Sequence, residues 1–268
     1  MKYVFGIGLV AVVVGVLWFM SATPTTPSVS TTDEMAEVAM ESAAGLSVRT
    51  EDDLEYFAGA RGFYAEPMGE DAYPGVVMIH ENRGLRPEIK QAAETLAKEG
   101  YRVLAVDLYQ GTVMETQDEA RAYSTQFDQA EGIRNMQAAV AFLNERGSEK
   151  IASLGWCFGG KQSLELAMSG TPLAATVVYY GGGMATTTER LAPITWPVLG
   201  IFGDQDRVIP LEMVSAFESS LDALSVPNEV HIYEGVGHAF ANPSNPNFAP
   251  EATADAWAKT LTFLEQNL

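Results

Sequence analysis

Ile151-Ala152-Ser153-Leu154-Gly155-Trp156-Cys157-Phe158-Gly159-Gly160 reads as a buried strand, a tight turn and the first residues of a helix. A thiol stands at the apex of the turn. The pattern is that of a nucleophile elbow, in which a sharp strand-to-helix turn lifts one reactive side chain clear of a sheet. Glycines two before and two after the apex have a steric reason. The apex residue takes a strained backbone conformation, and side chains at those flanking positions would collide with the neighbouring strand and helix. Cys157 is also the only cysteine of the chain.

Outward from the elbow, strands and helices alternate. Residues 54–65 read as one or two short strands around a turn at Gly59, and residues 75–80 (GVVMIH) as a strand buried on both faces. Residues 87–99 carry helical spacing, with Ile89, Ala92, Ala93, Leu96 and Ala97 on one face and Gly100 as the stop. A strand at 102–107, one or two helices within 117–146, the elbow strand at 150–154 and a helix at 158–169 follow. Further strands fall at 174–180, 197–202 and 229–233, with helices at 211–224 and 253–266. This alternation predicts an α/β fold with a doubly wound, mainly parallel sheet and helices on both faces. In such folds reactive groups sit on loops beyond the carboxyl ends of strands.

Three of those loops carry chemistry. The first presents Cys157. The second is Gly203-Asp204-Gln205-Asp206-Arg207-Val208-Ile209-Pro210, and the third is Gly235-Val236-Gly237-His238-Ala239-Phe240. The order nucleophile, acid, histidine is that of α/β-hydrolases. A thiol needs a base to become the attacking thiolate. His238 supplies one, and a carboxylate on the far ring nitrogen would orient the imidazole and stabilise its protonated form. Asp206 is preferred for that part, as the fourth residue of Gly-x-x-Asp ahead of Val208 and Pro210; Asp204 is the alternative.

These motifs, with His80-Glu81-Asn82-Arg83-Gly84 and Val106-Asp107-Leu108-Tyr109, resemble the dienelactone hydrolase (carboxymethylenebutenolidase) family over residues 54–268. The resemblance implies a cysteine-dependent hydrolase of esters or lactones that works through an acyl-thioester. It implies a triad of Cys157, His238 and Asp206. A glutamate, here Glu81, would lie by the thiol and take its proton when substrate binds. The backbone N–H groups of Asn82 and Phe158 would form the oxyanion hole. Family members acting on dienelactone hold its carboxylate with arginines, one of them four residues after the histidine; here that residue is Asn242. Arg121, Arg83 and Arg207 are the other basic candidates for the substrate, and Tyr109, Trp156 and Phe240 the aromatic ones. His80 and His231 read as structural and solvent-facing, respectively, and Gly181-Gly182-Gly183 as a loop near the rim of the site.

Composition narrows the remaining choices. Acidic residues number 35 against 16 basic ones, a formal net charge of −19, which disfavours nucleic acid and anionic lipid as partners. With one cysteine, three histidines and no CxxC pair, no metal, cofactor or internal disulfide is expected. Lys2 followed by an apolar run at 4–20 reads as a signal peptide or a membrane anchor over residues 1–22, which predicts export, with a possible tether. Residues 23–45, rich in Ser, Thr, Pro, Ala and acidic side chains, read as a flexible linker, and residues 46–268 as the catalytic domain. No protein partner is expected. The rival readings are a non-catalytic exported binding protein on a hydrolase scaffold, and a general carboxylesterase or thioesterase that does not act on dienelactone.

Overall fold

The computed structural model describes residues 45–69 and 71–268. The expected leader and most of the linker lie outside the described residues. No helix among the described residues is long and apolar enough to cross a membrane.

Eight strands form one sheet in the order β1-β2-β4-β3-β5-β6-β7-β8. They are β1 (Val48–Phe57), β2 (Ala60–Pro67), β3 (Gly75–Ile79), β4 (Arg102–Val106), β5 (Ile151–Trp156), β6 (Ala175–Tyr179), β7 (Val198–Gly203) and β8 (Asn228–Tyr233). β1 and β2 make an antiparallel hairpin, and β2 runs antiparallel to β4. All other neighbours are parallel, in the registers Gly75↔Ile151 to Ile79↔Gly155 and Ala152↔Ala175 to Trp156↔Tyr179. β3, β5, β6 and β7 are buried at every position. Their near-continuous Val, Ile, Leu and Ala runs are what two covered faces require.

The helices are α1 (Pro87–Lys98), α2 (Gln117–Ser124), α3 (Gln129–Glu145), α4 (Phe158–Met168), α5 (Thr188–Leu191), α6 (Leu211–Ala223) and α7 (Pro250–Asn267). α1 begins with proline at its first turn and buries Ile89, Ala92, Ala93, Leu96 and Ala97, the stripe its spacing predicts. α2 opens on a Thr116/Glu119 capping box. The chain passes from β3 through α1 to β4 on one side, then returns through α2 and α3 to β5 on the other side of β3. Right-handed crossovers then place α1 on one face of the sheet and α3 with α4 on the opposite face. Strand order therefore reverses between β3 and β5, and a crevice opens beyond their carboxyl ends. Asn82 follows one of these strands and Cys157 the other.

Two details differ from the sequence reading. β1 starts at Val48, well before residue 54, because it is an edge strand with only Leu54 buried and a register break at Glu51/Leu54, so no apolar alternation marks it. On β8 the exposed apolar residue is Ile232, while His231 is half-buried beside Glu229.

At the elbow, backbone touches backbone. A Cβ on Gly155 would lie 2.2 Å from the Gly159 carbonyl oxygen, one on Gly159 2.2 Å from that of Ile79, and one on Gly160 2.4 Å from that of Tyr179. Gly170, at φ +82°, has nothing within 4 Å of the same virtual atom. Gly159→Ala should therefore destabilise by about 3 kcal/mol or more through backbone displacement, whereas Gly170→Ala should cost only the ~1 kcal/mol of left-handed strain. Thermal unfolding of the two variants measures the difference, and equal losses would refute the steric account.

Candidate active site

Cys157 sits at φ 53°, ψ −113°, a conformation L-residues avoid. Its N–H donates to the Tyr179 carbonyl at 3.0 Å, and its own carbonyl receives the N–H of Lys161 at 3.1 Å, so the strained residue is pinned on both sides. Two more non-glycine residues take positive φ on the same rim: Tyr180 (35°) after β6 and Ala239 (62°) beside His238. Three strained residues thus meet where the loops converge.

The convergence brings three side chains into line. His238 Nε2 lies 3.1 Å from Cys157 Sγ, and Nδ1 lies 2.8 Å from Asp206 Oδ2. The other Asp206 oxygen accepts the N–H groups of Val208 (2.7 Å) and Ile209 (3.1 Å), which fix the carboxylate plane. Asp204 is committed elsewhere: its Oδ1 accepts the Gly235 N–H at 2.7 Å. Asn247, which the sequence reading missed, donates to the His238 carbonyl at 2.9 Å and holds that loop. Burial alone would lower the imidazole's pKa, but the hydrogen bonds to Asp206 and to Cys157 outweigh it and push it up to about 10.

Sγ faces a cleft of about 590 Å³ that Asn82 and Phe158 also line. Neither backbone N–H of these two residues donates to a backbone carbonyl among the described residues. Phe158 is the first residue of α4, where an N–H has no intrahelical acceptor.

Glu81 lines a second, smaller cavity together with Glu88, Ile89, Trp156, Tyr180 and Asn242 among others. It makes no hydrogen bond to the thiol; Oε2 instead receives the Asn242 side-chain amide. Oε1 and the Tyr180 hydroxyl are both buried without a hydrogen-bond partner. Burial raises the Glu81 carboxyl from 4.5 to about 7, against the lowering effect of Asn242 and His238. Burial, reinforced by Glu81 and Cys157, holds the Tyr180 phenol well above its ordinary value, so it remains a neutral donor.

The expected substrate contacts are largely redirected. Asn242 is Glu81's partner rather than a wall of the cleft. Trp156 faces the smaller cavity and packs on Tyr179. Phe240 is fully buried between Tyr180 and Tyr233. Tyr109 is interior too, its ring packed on His80, Phe158, Phe127 and Tyr123. Arg121 is exposed on α2 beside Asp118, and Arg83 donates to the carbonyls of Met114 and Glu115. Arg207 is exposed and outside the cleft. His80 is structural: Nδ1 meets the Glu81 carbonyl at 2.6 Å and Nε2 accepts the Leu108 N–H. Gly182 does reach the rim. Cleft residues absent from the sequence reading include Lys161, Glu165 and Arg190. Lys161 was findable, since it stands one helical turn beyond Cys157; Arg190 arrives on the one-turn α5, which leaves no periodic signal.

A family model described as "Dienelactone hydrolase family" matches residues 60–268. A Synechocystis sp. protein provisionally named carboxymethylenebutenolidase is 29% identical over 226 residues, covering 77% of this chain and 92% of the relative. A crystal structure of a dienelactone hydrolase-like promiscuous phosphotriesterase from metagenomic libraries superposes with a TM-score of 0.73 at 26% identity, covering 83% of this chain and 99% of that one. A Klebsiella pneumoniae structure provisionally named dienelactone hydrolase gives a TM-score of 0.74 at 22% identity, covering 82% and 99%, and supports the α/β-hydrolase fold. With the family model spanning the whole sheet beyond the first strand, this chain belongs to the dienelactone hydrolase family and is a carboxylic ester hydrolase.

Proposed function

We propose that the protein hydrolyses small ester or lactone substrates through a thioester on Cys157, with His238 and Asp206 completing a catalytic triad. The observation that carries this reading is the Sγ–Nε2 contact of 3.1 Å in line with the Nδ1–Asp206 contact of 2.8 Å, at the mouth of the cleft. His238 takes the thiol proton and Sγ attacks the carbonyl carbon. The N–H groups of Asn82 and Phe158 receive the charge that develops on oxygen. As the tetrahedral species collapses, the C–O bond breaks and His238 Nε2 returns the proton to the leaving alkoxide. Water, deprotonated by His238, then attacks the thioester, and the thiolate departs with the acid released. The apolar leader at residues 4–20 supports exported placement for this activity, by secretion or by tether.

Glu81 has an electrostatic part in this scheme. It makes no hydrogen bond to the thiol, and its negative charge stabilises the imidazolium of His238. In the free enzyme kcat/KM should rise through about pH 7 as Glu81 ionises and fall near pH 10 as His238 loses its proton.

Three variants test these statements. Cys157→Ala should lose about 1,000-fold or more of kcat on aryl esters with the fold intact, and quenched turnover of the unaltered enzyme should give a peptide containing Cys157 heavier by the acyl group. Retained turnover in that variant would end the proposal. Asp206→Asn should lower kcat without removing the thiol's reactivity toward alkylating reagents. Glu81→Gln tests the buried charge. The folded pKa lies above the ordinary value, so the protonated form is favoured by folding. The cost is absent below pH 4.5, grows between pH 4.5 and 7, and above that reaches about 3 kcal/mol. Relative to the unaltered protein, Glu81→Gln should gain stability at pH 8 and gain little at pH 4.5. It should also lose the limb of the rate profile near pH 7. A pH-independent stability difference would show that the carboxyl is not the titrating group.

A further inference from the structure

Phe127 stands between two hollows. It lines the cleft of about 590 Å³ beside Cys157, together with Ser124 and Gln129 from the same stretch of chain. It also lines a separate groove of about 280 Å³, with Leu108, Tyr123, Gln126 and Asp128. Among the described residues no other side chain belongs to both. The half-buried ring is held from several directions. It meets Phe158 edge-on, at 5.0 Å and 87°, and Tyr109 at 6.0 Å. Its far edge fills a notch at Gly132 on α3, where a Cβ would lie 2.3 Å from Phe127 Cζ. Asp128, the next residue, caps α3 by accepting the Glu131 N–H at 3.0 Å, which fixes the backbone that carries the ring. Gln129 and Gln162 exchange amide hydrogen bonds at 2.6 and 3.0 Å and tie α3 to α4.

We propose that Phe127 is the partition that limits the length of the acyl chain this enzyme accepts, and that the adjoining groove is the extension a longer chain would occupy. The proposal rests on the ester-hydrolase reading above and assigns its substrate class: esters of short acyl groups. Strand order decides which half of the ester faces the ring. β7 and β8 lie on one side of β5, and the loops after them carry Val208 and His238. β3 and β4 lie on the other side, and Tyr109, which follows β4, packs on Phe127. His238 must protonate the leaving alkoxide, so the alcohol half lies on the side of β7 and β8. The acyl half then extends across the nucleophile toward Phe127. Methylenes laid on the Phe158 and Phe127 rings gain binding until the chain ends against Phe127. Further ones would have to force the ring out of its notch.

The experiment measures kcat/KM for 4-nitrophenyl butyrate and for 4-nitrophenyl octanoate. The unaltered enzyme should prefer butyrate by about tenfold or more. Phe127→Ala joins cleft and groove and should raise the octanoate-to-butyrate ratio by about tenfold or more, chiefly through KM for octanoate. Phe127→Leu, the milder truncation, should shift the ratio less and in the same direction. Gly132 lies outside both hollows, yet a methyl there displaces the ring. Gly132→Ala should therefore change the ratio by about threefold or more alone and leave it unchanged in the Phe127→Ala background. With the acyl group kept as acetyl and the alcohol lengthened from ethyl to octyl, Phe127→Ala should leave the preference as it is in the unaltered enzyme. An unaltered enzyme that takes octanoate as well as butyrate overturns the proposal. So does a ratio that Phe127→Ala leaves within about twofold, or an equal gain for long alcohols. If neither ester is turned over, the hydrolase reading fails by itself, and calorimetric titration of octanoate into Cys157→Ala, with and without Phe127→Ala, decides the partition separately. Binding strengthened about tenfold by Phe127→Ala supports it; equal binding, or none, overturns it.

Discussion

The close approach of main chain to main chain around Cys157 is the constraint on which the site depends. β5 must end against the start of α4, and α4 must start against the ends of β3 and β6. Each contact occupies the space a Cβ would need at Gly155, Gly159 or Gly160. The crowding forces Cys157 to φ 53° and puts its side chain above the carboxyl edge of the sheet, where strand order reverses. The same crowding sets the Phe158 N–H at the first position of α4, beside Asn82. The thiol and the proposed oxyanion donors are thus one steric solution: a displacement at any of the three glycines would move all of them together.

Electrostatics then separates two carboxylates by environment. Asp206 accepts two backbone N–H groups and the imidazole, and its charge is fully engaged. Glu81 has one amide partner, an unpartnered second oxygen and an apolar surround, which moves it to about 7. One carboxylate is thus held by hydrogen bonds against the imidazole, while the other, on the loop after β3, responds to pH near neutrality.

Much of this was legible in the sequence where a local rule governs a local outcome. The elbow glycines, the α1 stripe and the all-apolar strands β3, β5, β6 and β7 each follow from backbone sterics or two-sided burial. The three loops could be placed on one rim because parallel strands share their carboxyl ends. Side-chain direction was not legible. Phe240 and Tyr109 adjoin motif residues yet turn inward, since a position next to a reactive residue says nothing of which way its own side chain points. Asn242 occupies the place of a family arginine, but its short amide reaches only as far as Glu81. Arg121 was a basic candidate in the mid-chain helical region, and its exposed helix leaves it outside the cleft. The start of β1 at Val48 escaped notice because an edge strand with one buried residue carries no period.

Asn242 shows how one departure from a family pattern reorganises its neighbours. An arginine there would carry a full positive charge beside Glu81 and would hold that carboxyl low. A neutral amide offers a hydrogen bond without charge, so burial prevails and the carboxyl stays near neutrality.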